Sequence, residues 1–260
     1  MATAKPRGGF LTKVLITGMS GLIGGLLRDH LENLGGYQLS ALNRSRVEGI
    51  KCTQADIGDI DAILPAFECI DIVVHLAANL EVRNWEEQLH SNIVGTYNVY
   101  EASRRAGVKR VVYASSGSTI SGYEKEDPYN AIVTGRYDDV PESFPRISHQ
   151  VFRPDQIYGA TKIWGEAIGR VYSDEFDMSV LCVRIGSVSL ENRPRNTREY
   201  SAYLSKDDVC QILRQCIDAP IELKYDVFFA TSDNKWSYRD LTHAYEILGY
   251  RPVDSADHFS

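Results

Sequence analysis

Apolar and polar positions alternate between two periods along most of this chain. Short, nearly continuous apolar runs occur at 13–18 (KVLITG), 37–44 (YQLSALNR), 50–56 (IKCTQAD), 71–79 (DIVVHLAAN), 109–116 (KRVVYASS) and 178–186 (MSVLCVRIG). This is the pattern of strands buried on both faces. Helical spacing fills the gaps: GLIGGLLRDHLENLGG with Gly35 past its end, then a short helix around 59–67. A long helix follows over 84–106, with Trp85, Leu89, Ile93 and Tyr100 near one face and Gly107 as its stop, and another over 157–175. Strands buried on both sides and alternating with helices predict an α/β fold built on a doubly wound parallel sheet.

Beyond residue 186 the pattern loosens. Ser205 stands before Asp207 and Asp208, with Val209, Ile212, Leu213 and Cys216 on one helical face. Ser237, with Asp240 three residues later, marks a second helix start, and Gly249 marks its end. These pieces are too short for an independent unit. The expected organisation is a sheet domain over 1–186 and a small C-terminal lobe over 187–260 packed on the same core, above the sheet edge where such folds bind ligands. A long insertion, 123–150, is rich in tyrosine, proline and charge, and its pattern leaves a lid and an oligomer contact equally open.

With 260 residues, 43% of them hydrophobic and 24% charged, the chain has an ordinary globular composition. A net charge of −7 argues against a general binder of nucleic acid or anionic membranes. No run reaches the roughly 18 apolar residues of a membrane span. Cysteines 52, 69, 182, 210 and 216 are odd in number and form no C-x-x-C pair, so no metal cluster and a reducing, cytoplasmic setting are expected. Lys5 and Arg7 precede an apolar stretch, but Lys13 interrupts it and no cleavage signal follows, so no secretion signal is expected.

The first strand-to-helix turn carries Thr17-Gly18-x-x-Gly21-x-x-Gly24. Glycines at this spacing allow a tight turn, close approach of backbone to a pyrophosphate, and close packing of helix on strand. The helix N-terminus offers unpaired N–H groups to the anion. The sheet is therefore of Rossmann type, and the turn is expected to hold a nicotinamide dinucleotide. The second strand ends in Asn43-Arg44-Ser45-Arg46 rather than in a carboxylate, which favours NADP over NAD through Arg44, with Arg46 as a second candidate. Asp56, closing the third strand, is placed to reach the adenine amine or to form a turn.

Tyr158 and Lys162 open the helix after the fifth strand, and their spacing places both on one face. An ammonium beside a phenol, with the nicotinamide's positive charge nearby, lowers the phenol pKa towards working pH, so Tyr158 can take a hydroxyl proton while hydride leaves carbon. Ser115 or Ser116 is placed to orient that same oxygen.

Together, TGMSGLIG (17–24), ADI (55–57), HLAA (75–78), Asn92, YASS (113–116) and YGATK (158–162) resemble the extended short-chain dehydrogenase/reductases, over roughly 13–186. The resemblance implies a proton relay of Asn92, Ser116, Tyr158 and Lys162. It also implies cofactor contacts from Gly18, Ser20, Gly21, Leu22, Ile23, Gly24, Asn43, Arg44, Ser45, Asp56 and Ile57. Leu76, Ala77, Ala78, Asn92, Ser115, Tyr158, Lys162 and Ile185 complete that set. A homodimer through the helices 84–106 and 157–175 is implied as well.

The tail segments RIGS (184–187), TREYSAYLSKDD (197–208), SDN (232–234) and LGYRP (248–252) resemble uronate dehydrogenases and archaeal glucose-6-phosphate dehydrogenases. That likeness implies oxidation of the anomeric hydroxyl of a sugar, uronate or sugar phosphate to a lactone. Ser116, Gly117, Ser187 and Arg198 would then contact the substrate, with Arg198 pairing an acid. Arg193, Arg195 and Arg198 form a basic cluster suited to a carboxylate or phosphate, or simply a solvated loop. The likeness breaks at Gly117-Ser118, where uronate dehydrogenases carry Asn-His, at Leu80, where they carry serine, and in the added length of 123–150. The alternative function is a nucleotide-sugar 4-epimerase or dehydratase.

Overall fold

The computed structural model describes residues 11–259. Lys5 and Arg7 lie outside the described residues. Among those described, seven strands form one parallel sheet: β1 (Thr12–Thr17), β2 (Tyr37–Asn43), β3 (Lys51–Gln54), β4 (Ile72–His75), β5 (Arg110–Ser116), β6 (Ser179–Ile185) and β7 (Tyr225–Ala230). Their spatial order is β3-β2-β1-β4-β5-β6-β7, so the winding direction reverses between β1 and β4. A ligand crevice is expected outside the carboxyl ends of the strands at such a reversal.

The strands are apolar throughout because both faces are covered. On one face α1 (Leu22–Leu34) brings Leu27 and Leu31 against Val14, Ile16, Val112 and Leu181. Further along the chain lie α2 (Ile60–Ile63), α3 (Trp85–Gln88), α4 (Thr96–Ala106), α5 (Tyr129–Thr134), α6 (Ile157–Phe176), α7 (Glu199–Ala202), α8 (Lys206–Asp218) and α9 (Thr242–Leu248). Of these, α8 joins α1 on the first face through Val209, Ile212, Leu213 and Cys216. The opposite face is covered by α4 and α6, with Val99, Tyr100, Ala102 and Tyr172 packed on Leu15, Val73, Val111 and Val180.

Several elements differ from the sequence pattern. The helix expected over 84–106 is interrupted: Leu89–Gly95 winds as a π-helix between α3 and α4. The helix expected around 59–67 is α2 followed by a 3₁₀ turn over Leu64–Phe67, with Pro65 in its first turn. Ser205 caps α8 as expected, accepting from the Asp208 N–H at 3.1 Å. Ser237 does not cap a helix. It accepts from the Arg239 N–H, while Asp240 Oδ1 accepts from the Thr242 N–H at 3.0 Å and starts α9.

The tail shares the core of the sheet: β7 extends the sheet and α8 packs into the main core. A buried arginine fastens the two: Arg110, at the start of β5, donates to the carbonyls of Cys216, Ile217, Ala219 and Pro220, at 2.6–3.2 Å. Its charge meets the negative end of the α8 dipole, which offsets its burial.

The insertion folds as α5 with flanking 3₁₀ turns and packs Ile132 and Ile147 against Phe229 and Tyr238. Its end is clasped where His149 stacks on His243 at 3.9 Å and His243 Nε2 meets Asp226 Oδ1 at 2.8 Å. No helix among the described residues is long and apolar enough to cross a membrane.

Candidate active site

A cleft of about 620 Å³ opens at the carboxyl ends of the strands. Its first wall is the glycine turn. Gly18 has φ +72°, and a Cβ there would stand 2.8 Å from the Ala77 N, so the turns after β1 and β4 lie backbone to backbone. At Gly24 a Cβ would stand 2.6 Å from the Gly18 carbonyl and from Met19 Cα, so a side chain would lift α1 off the turn. Gly21 precedes α1 and offers no side-chain cap. Gly21, Leu22 and Ile23 line the cleft, leaving the unpaired N–H groups of the helix start for an anion. These residues fit a dinucleotide's pyrophosphate.

Behind the turn, Thr17 Oγ1 accepts from the Ala77 N–H at 3.1 Å and lies 2.8 Å from His75 Nδ1. His75 Nε2 lies 3.2 Å from Thr96 Oγ1. Burial pushes the His75 imidazole down to about 3, so the ring is neutral and serves as a strut. Sequence reasoning did not assign it this role.

At the far end of the cleft, Asn43 Nδ2 donates to Ser20 Oγ at 2.6 Å, joining β2 to the glycine turn. Arg44 and Ser45 line the cleft, whereas Arg46 turns to Glu48 at 3.1 Å. Asp56 and Ile57 line it too. Burial raises the Asp56 carboxyl, but the Gly58 N–H and the His90 ring outweigh it and hold the group below its usual range.

At the near end β5 delivers two serines, and α6 delivers Tyr158 and Lys162 one turn apart. The serines separate in role. Ser115 is buried and donates to Glu166 Oε1 at 2.5 Å, and Glu166 is paired with Arg184 through two contacts of 2.8 Å. Ser116 is therefore the hydroxyl beside Tyr158, whose phenol it pulls down.

Lys162 Nζ donates to the Ala114 carbonyl at 2.8 Å and stands 5.6 Å from the centre of the Tyr158 ring. Burial pushes the phenol up to about 12 and the ammonium down to about 8, the latter partly restored by Glu166. The nicotinamide charge expected to act with Lys162 on the phenol is not among these groups. In the protein alone, burial dominates and the lysine's hydrogen bond goes to backbone.

Asn92 is buried in the π-helix and is not part of the cleft wall. Its Oδ1 accepts from the Asn79 N–H at 2.8 Å, and its Nδ2 donates to the Asn79 carbonyl and to Thr161 Oγ1. It ties the loop after β4 to α6. Leu76, Ala77, Ala78, Ile185 and Ser187 line the cleft as expected.

Gly117 is buried away from the cleft, with the Arg239 guanidinium against it. Arg198 lies outside the cleft wall and donates to both oxygens of Glu124, at 2.6 and 2.7 Å. Leu80, Ser91, Gly186 and Val188 also line the cleft, the last three each beside a residue the motifs singled out.

Residues 14–212 match the NAD dependent epimerase/dehydratase family. The chain belongs to that family. As a member, it is an NAD-dependent enzyme of the short-chain dehydrogenase/reductase type.

Over 252 residues it is 33% identical to the uronate dehydrogenase of Agrobacterium fabrum, covering 96% of this chain and 87% of that one. It is 32% identical to the L-arabinose 1-dehydrogenase (NAD(P)(+)) of Haloferax volcanii, covering 95% of this chain and 98% of the other. A crystal structure of a uronate dehydrogenase mutant from Agrobacterium tumefaciens complexed with NAD superposes with a TM-score of 0.81 at 30% identity, covering 96% and 88%. Within the family frame, the glycine turn and the Tyr158–Lys162 pair line one cleft.

Proposed function

We propose that this enzyme oxidises the anomeric hydroxyl of a sugar or sugar derivative to a lactone. The observation that carries the reading is Tyr158 beside Ser116 and Lys162, in a cleft whose wall also includes the glycine turn. Ser116 and Tyr158 together hold the substrate hydroxyl, and the Tyr158 oxygen receives its proton. Lys162, held by the Ala114 carbonyl, supplies positive charge that favours the phenolate. The chemistry that oxidised NAD or NADP supplies when bound is acceptance of the hydride, two electrons and one proton, from the same carbon. Loss of that hydride and of the hydroxyl proton turns a cyclic hemiacetal into a lactone, and the books balance without a further reagent.

For the cofactor, the reading is NADP or NAD. Arg44 is the one arginine at the end of β2 that lines the cleft, and β2 ends without a carboxylate there, which supports NADP. The reading includes a homodimer, supported by half-exposed Trp85, Leu89, Val94 and Tyr97 along 85–97 and Trp164 and Val171 on α6. It includes the cytoplasm, supported by five cysteines that are all free.

The test is incubation with aldoses, uronates and sugar phosphates with each cofactor, following reduced nicotinamide by absorbance and the product by NMR. Net reduction with a lactone product is expected, and Arg44→Ala should weaken NADP more than NAD. A redox-neutral interconversion of nucleotide sugars, without net reduction, would favour the epimerase reading and overturn this one.

A further inference from the structure

We infer that the substrate is an uncharged sugar, and that Glu124 enforces this by occupying the arginine that would otherwise receive an acid. The inference rests on the dehydrogenase reading above and narrows its substrate class.

The basic cluster at 193–198 is the chain's candidate for holding a carboxylate or phosphate. Two of its members are already engaged. Arg195 donates to both carboxylate oxygens of Glu199, at 2.6–3.2 Å. Arg198 makes the fork-to-fork pair with Glu124, Nε to Oε2 at 2.6 Å and Nη2 to Oε1 at 2.7 Å, which is the geometry by which a guanidinium would grip a substrate acid. Arg193 is exposed and does not line the cleft.

Glu124 is not a casual surface partner. Its side chain is only 12% exposed, and it accepts a second hydrogen bond from the Tyr238 hydroxyl. Arg239 Nη2 donates to that hydroxyl at 3.3 Å, and the Arg239 guanidinium lies 3.2 Å from where a Cβ on Gly117 would stand. Gly117 follows Ser116. Arg239 therefore lies between Gly117 and the Tyr238 hydroxyl that Glu124 accepts from. An acid that took Arg198 would leave the Glu124 carboxylate nearly buried beside a second negative charge, held only by a phenol.

The cleft wall offers no replacement. Its described cations are Arg44, at the end of β2, and Lys162, whose ammonium is committed to the Ala114 carbonyl. Ser115, Ser116 and Ser187 also present hydroxyls to the cleft wall, groups that suit sugar hydroxyls.

The test compares kcat/KM of the wild-type enzyme, under matched conditions, for L-arabinose, D-xylose, D-glucose and D-galactose with D-glucuronate, D-galacturonate and D-glucose 6-phosphate. A neutral aldose is expected to lead the acids by about tenfold or more, the scale on which one ion pair discriminates. Glu124→Gln keeps the shape and removes the charge, and it should raise acid over neutral turnover by about tenfold. An acid preferred by the wild type over every neutral aldose would overturn the inference and leave the dehydrogenase reading standing. An unchanged ratio in folded Glu124→Gln would also overturn it. No turnover of any sugar, by enzyme that still binds the dinucleotide, would overturn the dehydrogenase reading itself.

Discussion

Tyr158 and Lys162 titrate in the reverse of the order their roles require, because both are buried: the phenol is at about 12 and the ammonium at about 8. The active form pairs phenolate with ammonium, so it is always a minority. Its population rises about tenfold per pH unit below the lysine value and is flat between the two values. A plot of log kcat/KM, which reports the free enzyme, should therefore climb with pH and bend near 8. Lys162→Met should be slower throughout and keep climbing past that bend, since only the phenol then titrates. A bend that stays in place in the variant would contradict this account. The pair was legible in the sequence because four residues on a helix fix a shared face. Its pKa values were not, because burial and the Ala114 carbonyl are set by strand β5, 48 residues away. The Arg198–Glu124 pair, 74 residues apart, was illegible for the same reason.

The elements that carry the glycine turn, the serines and the Tyr158 helix follow from apolar runs and glycine stops. The π-helix over Leu89–Gly95 does not, since its i→i+5 hydrogen bonds span too few residues to set a period of their own in the apolar pattern. Its effect is to seat Asn92 against Asn79 and Thr161, so this residue positions the cleft's wall from behind. The β7 strand was hidden because Tyr225 and Asp226 blur a short apolar run, VFFA, and nothing local announces a parallel partner. The join between sheet and tail rests on Arg110. Replacing it with methionine strips four carbonyls at the end of α8 of their donor, and should cost about 3 kcal/mol or more. A urea titration reads this as a lower midpoint with an unchanged slope. A midpoint within error of wild type would show that water satisfies those carbonyls.

At the scale of the whole molecule, the insertion 123–150 was ambiguous between a lid and an oligomer contact. Its core of Ile132 and Ile147 on Phe229 and Tyr238, and its clasp of His149 on His243, make it a fixed part of the fold against β7 and α9. The proposed homodimer would use the surface along 85–97 and α6, where Trp85 is 47% and Tyr97 44% exposed. Light scattering after gel filtration should give the mass of two chains, and Tyr97→Glu with Trp164→Glu should give one. A wild-type monomer at all concentrations tested would remove the dimer from the account.

The most direct measurement is turnover and dinucleotide binding of Tyr158→Phe, side by side with wild type. The account predicts that removing one oxygen abolishes sugar-dependent reduction of the nicotinamide while the dissociation constant for NAD or NADP stays within about twofold, the loss expected when a proton-transfer group goes and the binding wall remains. A Tyr158→Phe enzyme that still reduces the cofactor near the wild-type rate would contradict it.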